Sequence, residues 1–352
     1  MKFSEVLGLA LLAAAPAKGL QNTTAFEKPV QVKNPFTRGK NSLFGTLTEM
    51  YMIPEALELT NLLQQEGAVR LAKPDNMKHA TPAKLMKYMP YSFASICSPE
   101  EFNTLQCFCA NMVTDTHVVE ARHFGALAMV ALVKEEKIIL VSYRHTFTGH
   151  SKELNTQFQL TTMPRAPRGV GVHYGFLAYT LSLQQELEDT VEKFIKKDEY
   201  KDYTLTVLGY SSGGTFATLS IPDWIRFLER NGQKDRKIEI INYAGSRPGN
   251  QAFADYIKSF DIPITRYTRL NDMVPNMPPR GSGYVHVGVE IHERAMGNQS
   301  ALVVCSQDYD EDPNCILGES LPPNPALHFL PAGKLIINGF GCTPFHLRTK
   351  PE

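Results

Sequence analysis

The chain has no excess charge of either sign and, after its first residues, no long apolar run. Lys plus Arg and Asp plus Glu number 36 each over 352 residues, a formal charge of zero. No basic run is present to follow a phosphate backbone and no acidic tail appears, so nucleic acid is not an expected partner. An uncharged or apolar substrate suits this balance better. Internal repeats and low-complexity tracts are also lacking, which excludes solenoid and repeat architectures. No later segment approaches the ~20 apolar residues that a spanning helix needs, so no stable membrane span is expected. Apolar residues make up 43% of the chain, enough for a full core in one large domain or two small ones.

The longest apolar run is at the start. Lys2 precedes Val6 to Ala15, and Ala15-Pro16-Ala17 follows. A charged start, a brief apolar centre and a small-x-small site read as a secretory signal over residues 1–17. In an oxidising compartment the six cysteines, Cys97, Cys107, Cys109, Cys305, Cys315 and Cys342, imply disulfides rather than metal ligands. Asn22-Thr-Thr24 and Asn298-Gln-Ser300 then become candidate glycan sites. Residues 18–80 carry Pro29, Pro35 and Pro74, many charges and one helical stretch, and read as an N-terminal extension or propeptide.

From Thr81 to the end the pattern is that of one compact domain, 81–352. Thr81-Pro82 opens a helix expected to reach Ser95. Strands are expected over 125–133 and 137–143, and a long helix over 175–197, where Leu177, Leu181, Leu187, Val191 and Phe194 keep a 3.6-residue stripe. Another helix falls at 222–230. Further strands are read at 237–244, 264–270 and 284–291. In the last, Val285, Val287, Val289 and Ile291 alternate with His286, Gly288 and Glu290, which predicts one buried face. Strands interleaved with helices argue for an α/β protein.

One motif carries chemistry. Gly209-Tyr210-Ser211-Ser212-Gly213 is a G-x-S-x-G sequence, with Gly214 next, a β-rich run before it and small residues after it. A serine on a sharp strand-to-helix turn stands clear of both elements, and glycine two residues to either side removes the side chains that would collide. The helix start aims N–H groups at any oxyanion formed there. Such a serine needs a base to take its proton and a carboxylate to orient that base, here in the order Ser, acid, His. Asp272 follows the 264–270 strand, where open α/β sheets build their sites. The histidines beyond it are His286, His292, His328 and His346. His286 alternates with valines and reads as structural, and His346 lies near the chain end. His328 sits between Cys315 and Cys342 and is preferred. The oxyanion donors expected are the N–H of Ser212 and a group from Thr146, in the loop after an early strand.

In order along the chain, these residues resemble the fungal class 3 lipases, α/β-hydrolases acting on triacylglycerols. Val141 to Thr146 is similar to the family's strand and Phe-Arg-Gly-Ser/Thr. Val172-His173-Tyr-Gly175-Phe176 is similar to Val-His-x-Gly-Phe, and Gly209 to Gly214 to Gly-His-Ser-Leu-Gly-Gly. Tyr243 to Asn250 resembles the segment holding Gly-x-Pro-x-x-Gly-Asn, and Arg269 to Pro275 with Gly283 to His286 resembles the acid loop and following strand. The resemblance spans about residues 81–345. It implies an α/β-hydrolase fold with a central, mostly parallel sheet flanked by helices, and Ser211, Asp272 and His328 as catalytic residues. It also implies the disulfides Cys97–Cys342, Cys305–Cys315 and Cys107–Cys109, a lid over 147–158, and an acyl groove touched by Met273, Val274 and Pro278. No metal or organic cofactor is implied. The partner expected is a lipid or ester at an oil–water interface.

The chain departs from the family pattern in places. His145 replaces a glycine beside the oxyanion residue, Tyr210 and Ser212 replace His and Leu in the elbow, and the lid segment lacks the usual tryptophan. Only Phe108 separates Cys107 from Cys109, which would strain that ring. The expectation is a secreted serine carboxyl-ester hydrolase acting on triacylglycerols. The alternatives are a phospholipase A1 or feruloyl-type esterase using the same residues, or a lipid-binding homologue without catalysis.

Overall fold

The structure is a computed structural model and describes residues 78–94, 113–145, 158–295, 301–319 and 323–329. The expected leader, all but the last three residues of the 18–80 extension, Thr146, the lid segment up to 157, Cys97, Cys107, Cys109, Cys342 and His346 lie outside the described residues.

Helix α1 (Pro82–Ala94) leads in, its first turn capped by the Thr81 hydroxyl, which accepts the Lys84 N–H at 3.2 Å. Strands β1 (Thr114–Ala121), β2 (Ala126–Val133) and β3 (Ile138–Tyr143) form an antiparallel meander. All eight residues of β2 are buried, as its unbroken apolar run requires of a strand covered on both faces. A small two-stranded unit, β4 (Leu160–Thr162) and β5 (Gly171–His173), precedes the long helix α2 (Tyr174–Ile195). Then follow β6 (Thr204–Tyr210), α3 (Ser212–Leu219), α4 (Ile221–Arg230), β7 (Ile238–Tyr243), α5 (Gln251–Lys258), β8 (Ile264–Arg269), β9 (Val289–Glu293) and β10 (Leu302–Val304).

The sheet has eight strands in the order β1-β2-β3-β6-β7-β8-β9-β10. It is parallel from β3 through β9, with antiparallel strands at both edges. Each face carries its own apolar core. One joins Leu183, Leu187, Val191, Phe216 and Trp224 of the helices to β2, β3, β6 and β7. The other packs Leu85, Met89 and Phe93 of the first helix under Leu208, Tyr210, Ile241 and Tyr243. A mostly parallel sheet with helices on both faces is the expected α/β-hydrolase architecture, and it turns the carboxyl ends of β6, β7 and β8 to one rim.

The strand expected at 284–291 is corrected. Regular pairing begins only at Val289, and Val285 makes an isolated bridge to Gly249. Gly288 has a φ of +97°, which breaks the extended run. Nor is one face exposed: His286 and Glu290 are 1% and 3% exposed, because each is held by polar partners inside.

Gly288 and Gly283 make a matched pair for testing this turn. Both have positive φ, but a Cβ on Gly288 would lie 2.5 Å from Ile264 Cγ2 and 2.9 Å from its carbonyl, whereas one on Gly283 meets open space. Gly283→Ala should lose only the left-handed penalty, about 1–2 kcal/mol. Gly288→Ala should lose about 1–3 kcal/mol more through the clash. Urea unfolding of both variants checks this; equal losses would refute the close approach.

Candidate active site

The turn after β6 is built by what its glycines lack. A side chain on Gly209 would lie 2.5 Å from the Gly213 carbonyl oxygen and 2.8 Å from that of Tyr143. One on Gly213 would collide with the same Tyr143 carbonyl. The strand, the helix and the end of β3 therefore touch backbone to backbone. In that space Ser211 adopts φ 58° and ψ −133°, a conformation non-glycine residues rarely take. Its N–H donates to the Tyr243 carbonyl at 2.8 Å, and its own carbonyl accepts the Gly214 N–H at 3.0 Å, starting α3. The Ser211 side chain is thereby turned out at the rim and is partly exposed. Ser212, buried, is the first residue of the helix, where N–H groups and the positive dipole end gather.

Asp272 lies three residues beyond Arg269, the end of β8, and is fully buried. Its Oδ1 accepts the Val274 N–H at 3.0 Å. Its Oδ2 meets His328 Nδ1 at 2.8 Å. Both carboxylate oxygens are thus engaged, and the imidazole is held with Nδ1 toward the acid, leaving Nε2 as the basic nitrogen. His328 belongs to a short 3-10 turn (Pro325–Phe329) that docks on the acid loop. Asn324 bridges to Asp272, with its N–H on the Asn271 carbonyl at 2.6 Å, and Arg269 Nη1 donates to the Leu327 carbonyl at 3.2 Å.

The other described histidines beyond Asp272 are engaged elsewhere. His286 Nε2 donates to the Pro275 carbonyl at 2.7 Å. Burial, followed by the charge of Arg266, holds the His286 ring well below its usual range, so it stays neutral. His292 lies between Thr268 and Glu319. Among the described histidines, His328 is therefore the one hydrogen-bonded to Asp272.

A second layer fixes the acid loop and was not legible beforehand. Arg247, 1% exposed, donates through Nη1 to the carbonyls of Asn276 (2.5 Å) and Pro278 (2.8 Å). Its Nη2 and Nε bind Glu311, whose Oε1 also accepts the His286 N–H at 3.1 Å. Burial would raise the Glu311 carboxyl, but the charge and hydrogen bonds of Arg247 outweigh it and hold the group well below the usual carboxylate range. Met273 and Val274 are half-buried beside Asp272, while Pro278 is buried within this clamp.

Cys305 and Cys315 are joined, closing the loop that carries Glu311. Glu290 with these two sulfurs is the one metal-like grouping among the described residues, and the disulfide leaves it no thiolate ligand.

The class 3 lipase family profile matches residues 140–282, which hold the elbow and Asp272. The chain is 26% identical to a lipase of Rhizomucor miehei over 296 residues, covering 82% of this chain and 77% of that one. A solved triacylglycerol lipase, described as having a serine protease triad at its catalytic centre, superposes with a TM-score of 0.62 at 26% identity, over 74% of this chain and 98% of its own. A chloroplastic phospholipase A1 of Arabidopsis thaliana is 28% identical over 44% of this chain, which spans 39% of that protein's length. The chain is thus similar to the class 3 lipases, most of all over residues 140–282. These similarities support an enzyme of the lipase or carboxylic ester hydrolase kind, and among its described residues no helix is long and apolar enough to cross a membrane.

The Glu311 clamp predicts a pH-dependent stability of defined sign. A carboxyl depressed in the folded state contributes stability above its ordinary value of about 4.3, and the contribution is lost as pH falls below that toward the folded value. Glu311→Gln should lose about 3–5 kcal/mol at pH 7 by leaving Arg247 buried and uncompensated. Its stability should then fall less than the parent's between pH 6 and pH 3. Thermal unfolding across that interval tests this; parallel curves would count against the clamp.

Proposed function

We propose that this lipase hydrolyses triacylglycerols through an acyl-enzyme on Ser211. The observation that carries the reading is the 2.8 Å contact of His328 with Asp272, on a turn whose His328 carbonyl also accepts the phenol of the elbow residue Tyr210. In the proposed cycle Ser211 Oγ attacks the ester carbonyl while His328 Nε2 takes its proton, and Asp272 stabilises the imidazolium. The Ser212 N–H and Thr146 receive the tetrahedral oxyanion; each such donor contributes about 3–4 kcal/mol. The intermediate collapses, His328 returns the proton to the departing alcohol, and the ester bond breaks. Water, deprotonated by His328, then attacks the acyl-enzyme and releases the fatty acid and free Ser211. No step calls for a cofactor.

The triacylglycerol preference draws support from the triacylglycerol lipase with which the chain superposes and from an uncharged chain suited to an uncharged ester. The second reading, a phospholipase A1, draws on the similarity to the Arabidopsis enzyme. Secretion is proposed from the 1–17 leader pattern together with the Cys305–Cys315 disulfide, and residues 18–80 are proposed as an N-terminal extension or propeptide outside the catalytic domain.

The test compares emulsified long-chain triacylglycerol, phosphatidylcholine vesicles and a soluble short-chain ester. Triacylglycerol should be cleaved fastest. A phosphatidylcholine rate above it would favour the phospholipase reading, and the short-chain ester leading would favour an esterase. A fluorophosphonate should label the parent and not Ser211→Ala, whose kcat should fall on the order of 10⁶-fold. An unlabelled parent would mark a lipid-binding homologue.

A further inference from the structure

We infer that Tyr210 is a positioning residue for the base: its phenol ties the His328 backbone to the residue next to the nucleophile. The inference rests on the proposed roles of Ser211 and His328. The elbow sends Ser211 outward and Tyr210 inward, onto the α1 face of the sheet, where Tyr210 is 1% exposed. Its ring lies 4.5 Å from that of Phe93 and 5.1 Å from the His328 imidazole, centroid to centroid. Its Oη donates to the His328 carbonyl at 2.5 Å. Burial, with the Asp272 carboxylate nearby, pushes the phenol well above its ordinary range, so it remains an O–H donor.

The geometry separates two duties. Asp272 sets the rotation of the imidazole through Nδ1, but a side chain can rotate correctly on a backbone that sits too far from the serine. Beyond the Asn324 bridge to the acid loop, two carbonyl contacts help set the height of that backbone over the rim, Arg269 to Leu327 and Tyr210 to His328. Arg269 reaches from β8, the acid's strand. Tyr210 reaches from β6 and is covalently joined to Ser211, so it alone of the two links base and nucleophile through one residue. The position departs from the family's elbow motif, which carries histidine here, so the arrangement belongs to this chain's own sequence.

The alternative is that Tyr210 merely fills space under the sheet. Tyr210→Phe keeps the ring and removes the O–H. With a soluble short-chain ester, its kcat should fall about 10- to 100-fold, as loss of about an ångström of alignment does, with KM unchanged. The rate of fluorophosphonate labelling should fall in parallel. Phe93→Leu loosens the packing behind the ring without touching the O–H; it should lower Tm but keep kcat within about twofold of the parent. A Tyr210→Phe enzyme with parental kcat and labelling rate would overturn the inference while leaving the triad intact. So would a Phe93→Leu enzyme that loses as much kcat as Tyr210→Phe. A parent that resists labelling, or a Ser211→Ala variant that keeps its activity, would instead remove the triad reading and this inference with it.

Discussion

Ser211 can hold its backbone conformation only because hydrogen alone stands at Gly209 and Gly213. The sheet's β3 and β6 and the start of α3 meet there at backbone distance, with the Tyr143 carbonyl against both glycines. A φ of 58° on a non-glycine residue is strained by about 1–3 kcal/mol, and it persists because the surroundings determine it from several sides. The Tyr243 carbonyl holds the Ser211 N–H, and the Asn242 side chain supports the next turn through Gly245 and Thr218. Every other feature of the site is placed relative to that fixed point.

The remaining parts come from strands further along the sheet, and their assembly is a matter of polar groups removed from water. Arg247, Arg269, Glu293, Glu311, Asp272 and His328 are all buried near the same rim. Isolated, each charge would be expensive to bury; paired and hydrogen-bonded to loop carbonyls, they fix loops that apolar packing would leave free to slide. The clamp on Asn276 and Pro278 works from behind the acid loop, and the bridge between Asp272 and Asn324 works from its front. The disulfide Cys305–Cys315 closes the loop bearing Glu311, so a covalent link stands two contacts away from the acid loop.

What the sequence disclosed follows the range of the forces involved. The elbow was legible because its requirement is local: two glycines and a serine within five residues. The first helix, the long α2, α4 and the inner strands were legible because periodicity reports burial, and their observed limits fall within about two residues of those expected, whereas α5 (Gln251–Lys258) was not anticipated. Asp272 could be placed at a strand end, but composition could not choose among the four histidines; spacing favoured His328 and the family resemblance strengthened it. The structure then joined His328 to Asp272 across 56 residues. The 284–291 segment misled because alternation assumes that polar residues face water, and His286 and Glu290 instead face buried partners. Arg247 with Glu311 is a pair 64 residues apart, with no pattern in the chain to join them.

Tyr210 belongs to neither group, since its position was marked beforehand while its duty was not. Seen in the sequence it is a departure within a motif, next to a residue whose geometry is already fixed. In the folded chain that rigidity matters, because a donor attached to an immobile elbow transmits its own fixity to whatever accepts its proton. An arginine from a different strand can hold the Leu327 carbonyl only as well as the two strands hold each other. A phenol one bond path from the serine backbone is free of that dependence. With the roles proposed for Ser211 and His328, preorganisation of the base over the nucleophile is therefore better assigned to the contact with the shortest covalent route between them.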